Sequence, residues 1–404
     1  MSTPADVVTP GTIGFQLLAF VQGMIFNPAR KEGLRFRQGD ARNLHISLAP
    51  EEDEEGFGDY RLTYRLRAEF PASQRQIDFV RALITKRYVP EQSIVDLPLV
   101  IRGETKIDAS GVISDGFHFR LELAPAEIQT LLKEAETYLE DTAARFLRLL
   151  QWRQAISTSQ SPLEFNSLLW RTDPGYYHAT PRPLSASGLS QTRRGDLTWG
   201  SHENENLSKL WLGDAEEPLA HELIREAGII RLQSERSAVL IAVSAAETGL
   251  KAHLSQIVPK LSWLMEKAPS PPIYTMLRDY VPRIHEGSGV DLSFWPALQP
   301  TLSAVRKAVE ARNSLAHTGQ MDTTIDVEEV IAQIRDLLYV LDVLAGHEWA
   351  KTTVRPELAA TLNWPRPTDG ALWLQWSQPD DDALRKLLAS SPTQRNLEGS
   401  SRRR

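Results

Sequence analysis

The 404-residue chain contains no cysteine. That excludes a disulfide framework, a thiolate metal site and a cysteine nucleophile, and it fits a reducing cytoplasm. Long hydrophobic runs are scarce as well. The apolar stretch Ile13–Phe26 is interrupted by Gln16, Gln22 and Gly23, and is too short to span a bilayer. It reads as a core helix or strand. Residues 1–12 lack a basic leader, so no signal peptide is expected. An excess of basic charge is missing too: the net charge of −7 argues against broad nonspecific binding to nucleic acid, though not against a local basic site. We find no Gly-rich phosphate loop, no zinc-ligand spacing, no hydrolase nucleophile elbow and no internal repeat. Neither a metal nor a cofactor is therefore expected.

What is present is the composition of a soluble globular protein, 42% hydrophobic and 24% charged. The length suits two or three domains. Tyr60–Phe70 alternates as a strand, with Tyr60, Leu62, Tyr64, Leu66, Ala68 and Phe70 on one face. Arg61, Thr63, Arg65, Arg67 and Glu69 occupy the other, either as a wet sheet face or as a phosphate-contacting surface. The acidic run Glu51–Glu55 before it reads as a solvated loop. Ser73–Arg87 reads as a helix, and Leu97–Ile107 and Phe117–Leu123 as strands joined through a turn at Asp108–Gly111. Pro125 opens a long helix to about Gln154. Ser167–His178 reads as a hairpin around Asp173-Pro174-Gly175.

These patterns predict an α+β chain. Residues 1–180 form a mixed domain with an antiparallel sheet, and 181–229 a linker, rich in Pro, Ser, Gly, Arg and Asn up to residue 206, with a short helix at Pro218–Ile230. Residues 230–350 form an all-α antiparallel bundle, and 351–404 an extension whose polar tail from about 390 is disordered. Within the bundle, Ser234–Ile257 is a helix with Leu240, Val243, Leu250, Leu254 and Ile257 on its apolar face. Pro269–Pro272 breaks the next helical region, which resumes over Ile273–His285. Asp326–Gly346 is a helix with a wider apolar face than one neighbour needs. That surplus suits a subunit interface or packing on the N-terminal region.

The chemistry concentrates at Ala311–Gly319. The preceding run carries Leu302, Val305, Val309 and Ala316 at helical spacing, with Arg312 on that stripe. Asn313 and His317 lie one turn apart beside it. Gly319 suits a left-handed cap, which puts His317 in the last turn. An arginine, an amide and an imidazole there can hold a phosphate and move a proton beside it. Alternatively, Arg312 covers core with its aliphatic stem and His317 complements the helix dipole. Glu247 sits inside the apolar face of the earlier helix, where an unpaired carboxylate is costly. A Glu247–Arg312 pair across the two helices follows, serving a site or simply helix register.

The sequence Ala-x-x-Ala-Ala-Glu-x-x-Leu around Glu247 and Ala-Arg-Asn-Ser-Leu-Ala-His-Thr-Gly at 311–319 resembles the HEPN superfamily (higher eukaryotes and prokaryotes nucleotide-binding), over about residues 230–350. The resemblance implies a HEPN-like antiparallel helical bundle that forms a homodimer. It implies a metal-independent endoribonuclease that cleaves RNA by 2′-OH attack. Arg312, Asn313 and His317 are then the catalytic residues, with Glu247 supporting them. Such domains with large N-terminal accessory regions imply a cytoplasmic antiviral-defence or toxin role in bacteria, with a phage-derived or regulatory partner at the N-terminal part and no membrane. The alternative is a noncatalytic HEPN module that binds nucleotide or RNA or dimerises.

Overall fold

A computed structural model describes residues 8–26, 34–38, 41–51, 61–84, 124–154, 163–171, 178–180, 196–197, 201–267, 272–286, 289–319 and 325–365. The chain is α+β. Strands β1 (Thr12–Phe26), β2 (Leu34–Gln38), β3 (Leu44–Glu51), β4 (Arg61–Pro71), β5 (Leu163–Arg171) and β6 (His178–Thr180) form an antiparallel sheet in the order β2-β3-β4-β1-β5-β6. The two-residue β7 (Asp196–Leu197) adds in parallel to the end of β1. The interrupted run from residue 13 is thus a strand, and a central one. Its inward residues oppose those of β4 in register, Ile13 with Phe70, Phe15 with Ala68 and Leu17 with Leu66. All six are buried, and Phe15 meets Phe70 edge to face at 5.4 Å.

The polar side of β4 is not a plain wet face. Glu69 is buried there and accepts from Asn43 Nδ2 at 3.1 Å, while Arg67 Nε donates to the buried Gln16 at 2.6 Å. Buried polar groups need such partners, so these side chains are committed to the sheet. Beyond β4, Ser73 and Gln76 satisfy each other's backbone N–H groups and start α1 (Gln74–Ile84). After Pro125, α2 (Ala126–Gln154) lays Ile128, Leu131, Ala135, Leu139, Phe146 and Leu150 on the sheet side.

From residue 201 on, the described elements are helical: α3 (Ser201–Leu212), α4 (Leu219–Ile230), α5 (Glu235–Ile257), α6 (Ser262–Lys267), α7 (Ile273–Thr275), a π turn (Met276–Tyr280), α8 (Val281–His285), α9 (Gln299–Thr318), α10 (Val327–Leu344) and α11 (Pro356–Thr361). Residues 201–206 belong to α3 rather than to a linker. The polar first turn hides a helix whose apolar end, Leu207, Leu210 and Trp211, is buried, with Trp211 against Phe146 of α2. Ser234 caps α5 by accepting from Ser237 N, and Asp326 caps α10 by accepting from Glu329 N.

Helix α5 packs against α4, α9 and α10. It approaches α10 so closely at Gly249 that a Cβ there would lie 2.3 Å from Leu338 Cδ2. The wide apolar face of α10 is covered within one chain. Val330, Ile331, Ile334, Leu337, Leu338, Val340, Leu341 and Leu344 are all buried, and so are Asp336 and Asp342. The N-terminal part supplies some of that cover: Trp152 of α2 donates from Nε1 to Asp342 at 2.9 Å, and Tyr339 donates to the Trp152 carbonyl at 2.8 Å. Of the two origins open for the surplus face, intrachain packing applies, and no dimer contact is needed to explain it.

Packing also continues past residue 350. Arg355 donates to the fully buried Asp336 at 2.6 Å and to Glu329 at 2.8 Å, and Val354, Ala359, Leu362 and Trp364 are buried. No helix among the described residues is long and apolar enough to cross a membrane. The acidic run beyond Glu51, the strands expected at 97–107 and 117–123 with the turn at 108–111, the turn at 173–175, most of the loop 181–200 and the tail from 390 lie outside the described residues.

Candidate functional site

Helix α9 buries Thr301, Leu302, Val305, Ala308 and Ala311, and nothing after them. Val309 is only half-buried and Ala316 is exposed, so the apolar stripe ends five residues earlier, at Ala311, than the spacing suggested. The last two turns therefore stand clear of the core. Asn313 and His317 are exposed, one turn apart. Gly319 takes φ +68°, and its N–H bonds to the Leu315 carbonyl at 3.0 Å, the left-handed cap expected there.

Arg312 reaches from the margin of α9 towards α5. Its Nη2 lies 3.5 Å from Glu247 Oε2, and its Nη1 donates to Asn313 Oδ1 at 3.1 Å. Glu247 also meets Lys251 Nζ at 2.8 Å, one turn along α5. The two expected partners do come together, but not in the core. Side-chain exposure is 24% for Arg312 and 17% for Glu247. Leu240, expected on the apolar face beside Glu247, is 39% exposed. The buried face of α5 is instead Ala238, Val239, Ala242, Val243, Ala245, Ala246, Leu250, His253 and Leu254. Glu247 stands at its edge, where water and Lys251 share the cost of its charge.

Five residues separate Arg312 from His317, about 140° of rotation and 7.5 Å of rise. In one chain they face different directions. Asn313 bridges them in sequence, and its Oδ1 is engaged by Arg312. The last turns of α9 thus present one anchored cation, one amide and one imidazole. They can bind an anion and transfer one proton; a reaction that needs both an acid and a base requires a second group from elsewhere.

Three buried histidines carry no motif. His253 of α5 and His285 of α8 face each other with Nε2 atoms 3.1 Å apart. Burial, then the neighbouring His285, depress His253 to about 4 against the opposing pull of Asp342; burial also lowers His285. Both rings are held neutral, one Nε2 donating and the other accepting. His221 of α4 lies with Nε2 2.9 Å from Asp342 Oδ2, beside the Trp152 contact. The position of His253 was legible, since it follows Ala246 and Leu250 on the buried face at helical spacing; its partner was not. At the start of α10, Arg231, Arg335 and Arg355 line a small pocket with Glu328 and Glu329. Arg231 meets Glu328, and Arg355 meets Glu329 and Asp336, whose carboxyl is pushed up by burial. Among the described residues, no three His, Cys, Asp or Glu side chains are grouped to hold a metal ion. Comparisons with protein-family models, with curated proteins and with solved structures return no match for this chain.

Proposed function

We propose that the chain is a metal-independent endoribonuclease of the HEPN type, with Arg312, Asn313 and His317 as its working residues. The observation that carries this reading is the display of all three on the last turns of α9, with Arg312 held beside Glu247 and His317 open to solvent. RNA brings its own nucleophile. A base takes the proton of the 2′-OH, the oxygen attacks the adjacent phosphorus, and the P–O5′ bond breaks as an acid protonates the leaving oxygen. The products are a 2′,3′-cyclic phosphate and a 5′-hydroxyl. Imidazole titrates near neutrality and suits either proton transfer, while arginine stabilises the phosphorane charge.

One chain supplies one histidine on α9, so the complete acid–base set calls for a homodimer. Since α10 is covered within the chain, the proposed seam lies on the α5–α9 side, where Leu240 is exposed. The helical part then acts as a HEPN-like bundle and the sheet region as its sensor or regulator, in the bacterial defence or toxin setting that the resemblance implies. The single imidazole also favours a second reading, a noncatalytic HEPN module that binds RNA or nucleotide.

The test is His317→Ala assayed on labelled RNA in EDTA-treated buffer, with light scattering for the oligomeric state. We expect a dimer and a loss of cleavage of about 100- to 10,000-fold. The melting temperature should not move, because an exposed helix-end side chain contributes little to the core. Cleavage that survives the substitution overturns the assignment. A wild-type protein that binds RNA without cutting it, with or without a partner for the sheet region, supports the second reading.

A further inference from the structure

Residues 306, 310, 313 and 317 recur every three or four positions on α9, and all four are exposed. The stripe that displays Asn313 and His317 therefore runs back to Arg306, about 16 Å along the axis. There it meets another element. The Arg306 guanidinium lies 5.3 Å from the ring centroid of Tyr274 of α7, and that of Arg278, from the π turn, lies 5.2 Å from the same ring. Two cations are thus gathered over one aromatic ring, on side chains 51% and 45% exposed. A π turn inside a helix is a common mark of a functional position, because it re-aims side chains that a regular turn would place elsewhere. Tyr280, at the end of that turn, is 52% exposed and offers a flat surface on which an unpaired base can stack.

We propose that Arg278 and Arg306, positioned by Tyr274, bind the phosphodiester backbone of single-stranded RNA and lead the strand along α9 to His317. The direction of the strand rests on the ribonuclease reading; the binding does not. Each arginine has one acidic neighbour. Arg278 pairs with Asp279 at 2.7 Å, and Arg306 stands 3.7 Å from Glu310. The loose Arg306 pair contributes little and yields to a phosphate at small cost. Arg278 holds Asp279 through two bonds, Nε at 2.8 Å and Nη2 at 2.7 Å, and a phosphate replaces that carboxylate by accepting from the same two donors. Glu310 lies on the stripe itself and opposes a passing strand. The spacing fits a polyanion rather than a lone phosphate, since the cation pair and His317 are too far apart to share one group.

The experiment is fluorescence anisotropy with a labelled single-stranded 12-nucleotide RNA carrying 2′-O-methyl groups throughout, which lacks the nucleophile and cannot be cut. The double variant Arg278→Gln/Arg306→Gln should bind about tenfold more weakly. Its plot of log Kd against log salt should flatten by about 1.4, two contacts at ~0.7 each on a single strand. Glu310→Gln should bind a few-fold tighter, and Arg278→Lys/Arg306→Lys should restore much of the salt slope. Melting temperatures measured alongside confirm that exposed substitutions leave the fold intact. Wild-type protein that does not bind the oligonucleotide, or a folded double variant with unchanged affinity and slope, overturns the proposal. Binding through these arginines by a protein that never cuts unmodified RNA leaves it standing and removes only the ribonuclease reading. Cutting that depends on His317 but a double variant that binds normally removes only this inference.

Discussion

The buried pair His253 and His285 makes one part of the fold sensitive to acid. His253 is held at about 4, below the ordinary 6.5, chiefly by burial and then by His285. The unfolded chain binds the proton more readily than the folded one between those values. Stability is therefore fully present above about pH 6.5 and is lost as the pH falls towards 4. A shift of that size corresponds to about 3 kcal/mol. We expect the urea midpoint to drop across this window, and the variant His253→Gln/His285→Gln to flatten the drop, because an amide pair does not titrate. An acid limb of the same depth in that variant would show that the pair is not its source. Asp342 opposes the effect by favouring the cation, so removing it should deepen the acid limb.

Between elements, the α5–α9 contact is looser than the helix patterns suggested. A fully buried Glu247–Arg312 pair would cost about 3–5 kcal/mol to break. At 3.5 Å, with both groups partly wet and Lys251 remaining beside Glu247, Arg312→Ala should lower stability by no more than about 1 kcal/mol. Chemical denaturation measures this directly; a loss above about 3 kcal/mol would mean that the pair is effectively dry. The small structural cost matters for interpretation. Activity lost in that variant can then be assigned to the missing guanidinium rather than to unfolding. Helix periodicity alone misjudged the setting because Leu240 was counted among the core residues of α5, and α9 turned out to leave the core after Ala311. An apolar side chain at a face boundary reads the same in sequence whether or not a neighbour reaches it.

Across the whole molecule, sheet and helices share one buried core, pinned where α2, α4 and α10 meet. Asp342 accepts from Trp152 Nε1 and faces His221 Nε2, both at 2.9 Å. Asp342→Ala would leave two buried donors without an acceptor, at about 1–3 kcal/mol each. Because those donors belong to both parts of the chain, the variant should lower a single unfolding transition seen alike by tryptophan fluorescence and by far-UV circular dichroism. Two separate transitions, with only one of them shifted, would show that the junction does not couple the parts. For the same reason a fragment beginning at residue 230 would lose the cover that α2 and α4 provide to α10.

The sequence by itself determined those features whose signal is short in range. Alternation marked β4, Pro125 opened α2, Ser234 and Asp326 capped α5 and α10, and Gly319 ended α9 in a left-handed turn that leaves His317 in its last turn. Each depends on a handful of adjacent residues and on backbone geometry that any neighbour must accept. Only the tertiary structure decided that the run from residue 13 is a central strand, since its mixed polarity suited helix and strand alike until β4 and β5 flanked it. It also decided that the apolar surplus of α10 is spent within one chain, and that Glu247 and Arg312 meet at an edge. The imidazoles of His253 and His285, 32 positions apart, are joined only by the packing of α8 on α5. Periodicity says which way a side chain points; what it meets there depends on chain segments far away in sequence.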